Sequence, residues 1–252
     1  MTWLLDLDGV VWLSGDGIAG SAAAIDRLRE SGQRVVFFTN NSGRTVAENV
    51  AALAGAGVSA DGGDVLSSAQ AAASLLKAGS RAAVIGDPGV EEALGDAGVD
   101  VVALDAEPDA VVVGRTTEFS YEGLAAAATA IRLGARFVAT NSDATLPTPN
   151  GPAPGAGALV AFLQVASGVA PEVAGKPELP AARLVADRVG QIDVMVGDRP
   201  DTDGLFAGAI TARFALVLSG VTSQADLPVD PIPDLVGPDL AAIVDQVLGA
   251  RS

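Results

Sequence analysis

The stretch TWLLDLDGV, residues 2–10, decides the fold. It begins as an apolar run typical of a buried β-strand and then reaches Asp6 and Asp8. Burying a carboxylate is costly without a partner, so an acid at the end of such a strand calls for a physical reason. Residues two apart on an extended chain point the same way, roughly 6–7 Å apart, so both carboxylates are predicted to converge beyond the first strand. A polar loop with two solvated acids is the alternative.

Outward from this strand, short β-branched runs alternate with alanine-rich helical stretches, which is typical of an α/β fold with parallel strands. Ser21 is predicted as the N-cap of the first helix, and Thr45 with Glu48 has capping-box spacing. The predicted strands are 2–6, 33–39, 82–85, 99–104, 110–113, 136–140 and 193–196. The predicted helices are 22–31, 45–56, 68–78, 90–97, 121–133, one ending at 167, 179–189 and 240–248, and 146–157 is predicted as a loop.

A second acidic cluster, VGDRPDTD, again follows an apolar strand. It places Asp198 at a strand end, and Thr202 is predicted as an N-cap with Asp203 in the following turn. Open α/β sheets bind ligands at the carboxyl ends of their strands. Grouped carboxylates repel one another without a cation between them, and oxygen ligands select Mg²⁺ or a similar hard ion. A solvated capping loop is the alternative for this cluster taken alone.

Two further polar segments stand at strand ends. TNNS contains Thr39 and Asn40, where a hydroxyl and a backbone N–H suit a phosphate oxygen, although the segment taken alone favours an ordinary turn. GKP contains Lys176, one of only two lysines in the chain, and a compact ammonium there is able to neutralise phosphate. The glycine-rich GDGIAG at 15–20 lacks the acid that dinucleotide binding requires after the next strand, so a turn or hairpin is predicted.

Composition excludes several kinds of chemistry. The 252 residues contain no His and no Cys, so imidazole bases, thiolate nucleophiles and zinc-thiolate sites are absent. A formal charge of -16 argues against binding to nucleic acid or to an anionic membrane. The N-terminal apolar run is interrupted by two acids, which argues against a signal peptide. We therefore expect a cytoplasmic globular protein whose chemistry depends on carboxylates, hydroxyls, amides and a hard metal ion.

Taken in order, DLDGV, TNN, GKP and GDRPDTD resemble the four motifs of the haloacid dehalogenase superfamily of phosphohydrolases. The resemblance is closest to its NagD-type, 4-nitrophenylphosphatase-like branch and extends over essentially the whole chain. It implies a Rossmann-like core, with a parallel sheet and helices on both faces, and an inserted α/β cap domain. The implied boundaries are core at 1–78, cap at 79–172 and core again at 173–252.

The resemblance also implies a role for each matching residue. Asp6 resembles the nucleophile that becomes an aspartyl-phosphate, and Asp8 the acid/base. Thr39, the backbone of Asn40 and Lys176 are implied to hold the phosphoryl group, with Lys176 also balancing the charge of the nucleophile. Mg²⁺ is implied to bind Asp6, the backbone carbonyl of Asp8 and Asp198, with Asp203 supporting this site. Pro200 departs from the usual pattern, without an expected loss of ligation.

These observations predict a magnesium-dependent phosphomonoesterase acting on small sugar, polyol or glycolate phosphates. A nucleoside monophosphatase of the same family, a dehalogenase or phosphomutase, and a non-hydrolytic phosphate or metal sensor are the alternatives. Specificity is expected from cap residues 140–157, where Asp143 is the only charge, while Arg44 and Arg115 stay open as inward-reaching cations. A homodimer formed through the cap is a further expectation from the resemblance.

Overall fold

The computed structural model describes residues 1–13, 15–148 and 150–249. The strands in chain order are β1 (Thr2–Leu5), β2 (Trp12–Leu13), β3 (Asp16–Gly17), β4 (Arg34–Thr39), β5 (Val65–Ser67), β6 (Arg81–Ile85), β7 (Asp100–Val101), β8 (Ala110–Val113), β9 (Arg136–Ala139), β10 (Thr145–Thr148), β11 (Gly151–Pro154), β12 (Glu172–Val173), β13 (Val194–Gly197), β14 (Arg213–Val217) and β15 (Leu235–Gly237). The helices are α1 (Ser21–Glu30), α2 (Val46–Gly55), α3 (Ser68–Ala73), α4 (Pro88–Asp96), α5 (Tyr121–Arg132), α6 (Ala156–Ser167), α7 (Leu179–Arg188), α8 (Leu205–Ala209) and α9 (Leu240–Gly249).

The core domain is built on a six-stranded parallel sheet in the order β15-β14-β13-β1-β4-β5. Side chains of its strands alternate between two apolar clusters. Trp3 and Leu5 pack with α1 and α9 on one face, whereas Leu4 packs with residues of α7 and α8 on the other. Because helices cover both faces, the strands are apolar throughout. The predicted Rossmann-like core is confirmed.

The cap is built on a second parallel sheet in the order β12-β9-β8-β6-β7. Helices α5 and α6 pack together and bury one side of this sheet, while α4 packs against α3 of the core. The chain enters the cap after α3 and leaves it through β12, so the cap is inserted between two parts of the core. The α/β cap expected from the resemblance is therefore present.

Several predicted elements differ from the structure at their ends. Helix α3 stops at Ala73 because its last turn tightens into i→i−3 hydrogen bonds, for example from Leu76 N to Ala73 O at 3.0 Å. Ser21 is not an N-cap: Gly20 precedes α1 in a left-handed conformation, and the Ser21 hydroxyl donates to Val10 O. The Thr45–Glu48 capping box is confirmed. The strand predicted at 99–104 is limited to β7.

Two short antiparallel hairpins lie outside the two parallel sheets. β2 pairs antiparallel with β3, which confirms the hairpin predicted around the first glycines of GDGIAG. β10 pairs with β11 inside the segment predicted as a loop, with Pro147 opposite Pro152. A two-stranded ribbon tolerates proline because each strand has one side without a ladder partner. Strands β14 and β15 were not predicted, since short apolar runs do not distinguish strand from helix.

Within the described part of the chain, no helix combines the length and apolar character that a membrane span requires.

Candidate active site

The loop after β1 folds back and turns both predicted acids toward one cavity. Asp6 continues from β1, and its backbone N–H donates to Val196 O at 2.9 Å. The carbonyl of Leu7 then accepts backbone hydrogen bonds from three later residues, so the chain reverses. Gly9 permits this reversal because it has a φ of +81°, a conformation that L side chains rarely adopt. Asp6 and Asp8 both line the resulting cavity.

Asp198 and Asp203 follow β13, the strand next to β1. Asp198 Oδ2 accepts a hydrogen bond of 2.6 Å from the backbone N–H of Val221. Asp203 lies in a π-helical turn, and its Oδ2 accepts from the backbone N–H of Arg199 at 3.2 Å. The prediction of Thr202 as an N-cap is wrong, because it lies inside the turn and Asp203 supplies the acceptor at the start.

Lys176 lies beneath the acids with its side chain only 1% exposed. Its ammonium donates to Asp203 Oδ1 at 2.7 Å and to the backbone carbonyl of Phe38 at 3.2 Å, and Asp6 Oδ1 lies 3.1 Å away. Burial favours the neutral amine, but the two carboxylates outweigh it and raise the pKa of Lys176 above its ordinary value. The lysine is therefore a permanent positive charge at the base of the cluster.

The acids themselves are held in an unfavourable electrostatic environment. Burial raises the pKa of Asp6 well above its ordinary value, Lys176 opposes this rise, and neighbouring carboxylates reinforce it. Burial and repulsion from Asp203 raise the pKa of Asp198 to about 7. Burial also raises the pKa of Asp8. One ammonium does not balance these carboxylates, so the cluster favours an additional cation.

The same cluster has the donor set of a hard metal ion. Asp6, Asp198 and Asp203 each offer a carboxylate oxygen, and these oxygens lie within 4.8 Å of one another. The neighbouring backbone is kept close by glycines: a Cβ added to Gly9 would lie 2.5 Å from Asp198 Cγ, and one added to Gly197 would collide with Asp203. Three buried carboxylates with no bulky neighbour fit Mg²⁺ or Ca²⁺.

Thr39 and Asn40 end β4 beside Asp6. Thr39 Oγ1 accepts a hydrogen bond of 3.0 Å from the backbone N–H of Asn41, which leaves its hydroxyl proton for another acceptor. The Asn40 side chain pairs with the backbone of Lys176: its Oδ1 accepts from Lys176 N at 2.9 Å, and its Nδ2 donates to Lys176 O at 3.1 Å. Asn40 therefore joins two predicted motifs that are far apart in the chain.

The cap contributes a parallel set of polar residues. Asn141 Nδ2 donates to Asn40 O at 2.6 Å, and Asn40 Nδ2 lies 3.2 Å from an Asp143 carboxylate oxygen. Thr140 Oγ1 donates to Ser42 Oγ at 3.0 Å. The two similar segments TNN at 39–41 and TNS at 140–142 are thus in direct contact, one from the core and the other from the cap. Asp143, noted only as the single charge of its segment, lies at the cavity.

The cavity has a volume of about 80 Å³ and lies between the two domains. Its lining comprises Asp6, Asp8, Thr39, Asn40, Asn41, Arg115, Asn141, Asp143, Thr145, Leu146, Pro147, Gly155, Ala156, Asp198, Arg199 and Val221. Arg115 does reach the cavity, where it forms an ion pair with Asp87, whereas Arg44 lies over the ring of Trp12 instead. Arg199 was missed, although its place directly after Asp198 at a strand end was the available signal.

Comparison with known proteins gives two family matches. Residues 3–100 match the haloacid dehalogenase-like hydrolases, and residues 173–243 match a HAD-hydrolase-like family. The gap between them contains most of the cap. The chain is 38% identical to D-glycerol 3-phosphate phosphatase of Mycobacterium tuberculosis over 95% of its own length and 70% of the relative. It is 36% identical to acid sugar phosphatase of Staphylococcus haemolyticus, covering 89% of this chain and 88% of the relative. It is 35% identical to dihydroxyacetone phosphatase of Corynebacterium glutamicum, covering 90% and 84%.

Solved structures agree with these relatives. Glycerol phosphate phosphatase of M. tuberculosis in complex with magnesium superposes with a TM-score of 0.89 at 37% identity, over 96% of this chain and 75% of that one. NagD of Escherichia coli K-12 superposes with a TM-score of 0.85 at 31% identity, over 95% and 96%.

The chain therefore belongs to the haloacid dehalogenase-like hydrolases. Within them it is a NagD-type phosphatase, which makes it a phosphoric monoester hydrolase, as the four motifs had indicated.

Proposed function

We propose that this protein is a magnesium-dependent phosphatase of small polyol and sugar phosphates that works through an aspartyl-phosphate on Asp6. The observation that carries the proposal is the position of Asp6, which lies at the cavity between Asp8 and a buried lysine. The names of three relatives support the substrate class: D-glycerol 3-phosphate phosphatase, acid sugar phosphatase and dihydroxyacetone phosphatase.

Asp6 is oriented to attack phosphorus. Its Oδ1 accepts a hydrogen bond of 2.8 Å from the backbone N–H of Leu7 and lies 3.1 Å from the Lys176 ammonium. Both contacts involve the same oxygen, so Oδ2 is the oxygen left to form the new bond. A phosphate monoester repels an anionic nucleophile, and the charge of Lys176 reduces this repulsion without occupying the cavity.

Phosphoryl oxygens would contact the end of β4. The Thr39 hydroxyl is able to donate to such an oxygen while it accepts from Asn41 N. The backbone of Asn40 lies at the same edge, and the side-chain contacts of Asn40 fix its orientation. The Lys176 ammonium already has three acceptors within 3.2 Å. Direct contact between this ammonium and the phosphoryl group is part of the proposal and would add a fourth acceptor.

Asp6, Asp198 and the backbone carbonyl of Asp8 would hold Mg²⁺, with Asp203 supporting the site and anchoring Lys176. A bound divalent cation supplies positive charge that screens the carboxylates and polarises a phosphoryl oxygen. Asp8 donates a proton to the leaving oxygen and later takes one from water, a role that its raised pKa favours.

The cavity favours small substrates. Its volume of about 80 Å³ is well below the roughly 300–1,000 Å³ typical of sites for larger ligands. A nucleoside monophosphate is the second candidate because a groove of about 670 Å³, lined by Phe119, Tyr121 and Phe162, adjoins the cavity and shares Arg115 with it. This groove offers aromatic surface for a base.

The experiment is a phosphate-release assay on glycerol 3-phosphate, dihydroxyacetone phosphate, a hexose phosphate, 4-nitrophenyl phosphate and adenosine 5′-monophosphate. We expect the small esters to be hydrolysed with Mg²⁺ and not with EDTA, and Asp6→Asn to abolish turnover while calorimetry still detects Mg²⁺ binding. Turnover by Asp6→Asn would refute the mechanism. Faster hydrolysis of adenosine 5′-monophosphate than of the small esters would favour a nucleoside monophosphatase. A long-lived phosphorylated protein without phosphate release would identify a sensor instead.

A further inference from the structure

A tryptophan contacts the acid/base residue directly. Trp12 Nε1 donates a hydrogen bond of 3.0 Å to Asp8 Oδ1, and the Trp12 side chain is buried in the core cluster beneath the loop. None of the four motifs includes this residue.

The surrounding structure fixes the indole. The carbonyl of Trp12 accepts a hydrogen bond of 2.7 Å from Gly9 N, so its backbone closes the loop that carries Asp8. Trp12 is also the first residue of the β2–β3 hairpin, where it pairs with Gly17. On the other side, the Arg44 guanidinium lies 5.6 Å from the centre of the ring. The indole is therefore held by backbone, hairpin and cation, and has little freedom to turn away from the carboxyl group.

The chemistry of this contact is directional. An indole N–H is a donor only, so the carboxyl oxygen that meets it must accept. When Asp8 is protonated, Oδ1 is the accepting oxygen and the proton resides on Oδ2. A hydroxyl or amide at position 12 would not enforce this choice, because those groups both donate and accept.

We propose that Trp12 is a positioning residue that fixes the Asp8 carboxyl so that Oδ2 carries the transferred proton. The inference rests on the proposed function. In the first step Asp6 Oδ2 forms a bond to phosphorus, the bond between phosphorus and the ester oxygen breaks with its electron pair on that oxygen, and the proton of Asp8 Oδ2 passes to the departing alcohol. In the second step water attacks phosphorus, the bond between phosphorus and Asp6 Oδ2 breaks with its electron pair on Asp6, and Asp8 Oδ2 takes a proton from that water, which releases inorganic phosphate and restores the acid.

The test compares two leaving groups. An alkoxide leaves poorly unless it is protonated, whereas 4-nitrophenolate leaves readily without a proton. General acid catalysis contributes roughly 10²–10⁴-fold, and Trp12→Phe retains the acid but not its orientation. Since kcat/KM reports on the first step, in which the alcohol leaves, we therefore expect Trp12→Phe to lower kcat/KM for glycerol 3-phosphate by about tenfold and kcat/KM for 4-nitrophenyl phosphate by less than about twofold.

The chain provides a matched control. Trp3 is its other tryptophan, is fully buried, and its Nε1 has no hydrogen-bond partner among the described residues. Trp3→Phe removes the same atoms from the same domain without touching Asp8, so it should leave the ratio of the two kcat/KM values as in the wild type. Equal losses of kcat/KM on both esters in Trp12→Phe, or a ratio that changes equally in Trp3→Phe, would show a merely structural role and overturn the proposal.

Two further measurements test the proposal, and the second keeps it testable if Trp12→Phe does not fold. In Asp8→Asn, adding Trp12→Phe should have no further effect on the ratio of rates, because the proton is already absent. In ¹⁵N-tryptophan-labelled protein, Asp8→Ala should move the indole signal of Trp12 and leave that of Trp3, which Trp3→Phe assigns. A Trp12 signal that does not move would contradict the hydrogen bond between the indole and Asp8, and with it the proposal. A wild type that hydrolyses neither ester would refute the proposed function instead, while the indole signals still report on the contact.

Discussion

Replacing Lys176 with methionine tests the electrostatic design of the site. The substitution retains a long flexible side chain but removes the ammonium that lies 2.7 Å from Asp203 Oδ1 and 3.1 Å from Asp6 Oδ1. Removing one partner of a buried ion pair costs about 3–5 kcal/mol, because the other charge stays buried without compensation. Since Asp203 is fully buried, little water is able to replace the lysine. We expect Lys176→Met to lower the free energy of unfolding by roughly 3–5 kcal/mol at pH 7.5.

The assay is urea denaturation in EDTA, followed by tryptophan fluorescence at pH 5 and pH 7.5. Lys77→Met is the matched control, because Lys77 is the only other lysine and is exposed, and surface substitutions of this kind change stability by about 0.5 kcal/mol or less. Burial already raises the pKa of Asp6, and without the ammonium that opposes this rise its carboxyl group holds a proton still more strongly in the folded than in the unfolded protein. Its contribution to stability is therefore lost as pH rises, and the deficit should be larger at pH 7.5 than at pH 5. A Lys176→Met protein as stable as Lys77→Met at pH 7.5 would refute the reasoning.

Three further predictions concern the carboxylates and the cap. The pKa of Asp198 is raised to about 7, so the metal-free protein binds more protons when folded than when unfolded. It should therefore lose up to about 4 kcal/mol of stability as the pH rises from 4 to 8. Thermal melting in EDTA measures this loss, and an equally steep loss in Asp198→Asn would contradict the prediction. Gly9→Ala should abolish Mg²⁺ binding in calorimetry, because the added Cβ would collide with Asp198. The control Gly32→Ala has a similar φ of +78° and open space around it, so it should lower the free energy of unfolding by only about 1 kcal/mol and bind Mg²⁺ normally. Normal Mg²⁺ binding by Gly9→Ala would contradict the prediction. Asp143→Ala removes an acceptor of the Asn40 amide and should reduce kcat/KM roughly tenfold with little change in melting temperature; unchanged kinetics would show that the contact has no role in turnover.

Local sequence chemistry predicted much of the core. An apolar strand ending in Asp6, a second ending before Asp198 and the capping box at Thr45 each depend on residues close in the chain, so their patterns are readable directly. Errors occurred where distant contacts override local preference. The Ser21 hydroxyl donates to Val10 O rather than capping α1. Thr202 lies inside a turn that begins after Arg199, and there Asp203 accepts from Arg199 N and from Lys176.

The site residues were predictable in type and only partly in arrangement. Four motifs at strand ends are sufficient to place carboxylates, a hydroxyl and a lysine at one edge of a parallel sheet, because all carboxyl ends of such strands meet there. The partners of each group were not predictable. The pairing of the Asn40 amide with the backbone of Lys176 joins residues 136 positions apart.

The sequence by itself therefore determined the α/β fold, the family and the acids available for chemistry, since these follow from short-range periodicity and from residue types at strand ends. The tertiary structure alone decided the protonation and the side-chain orientation of those acids. Burial and the neighbouring carboxylates raise the pKa values of Asp6 and Asp198. The direction of the Asp8 carboxyl depends on an indole held by a hairpin and a guanidinium. These are properties of three-dimensional distance and dielectric environment, which no one-dimensional spacing specifies.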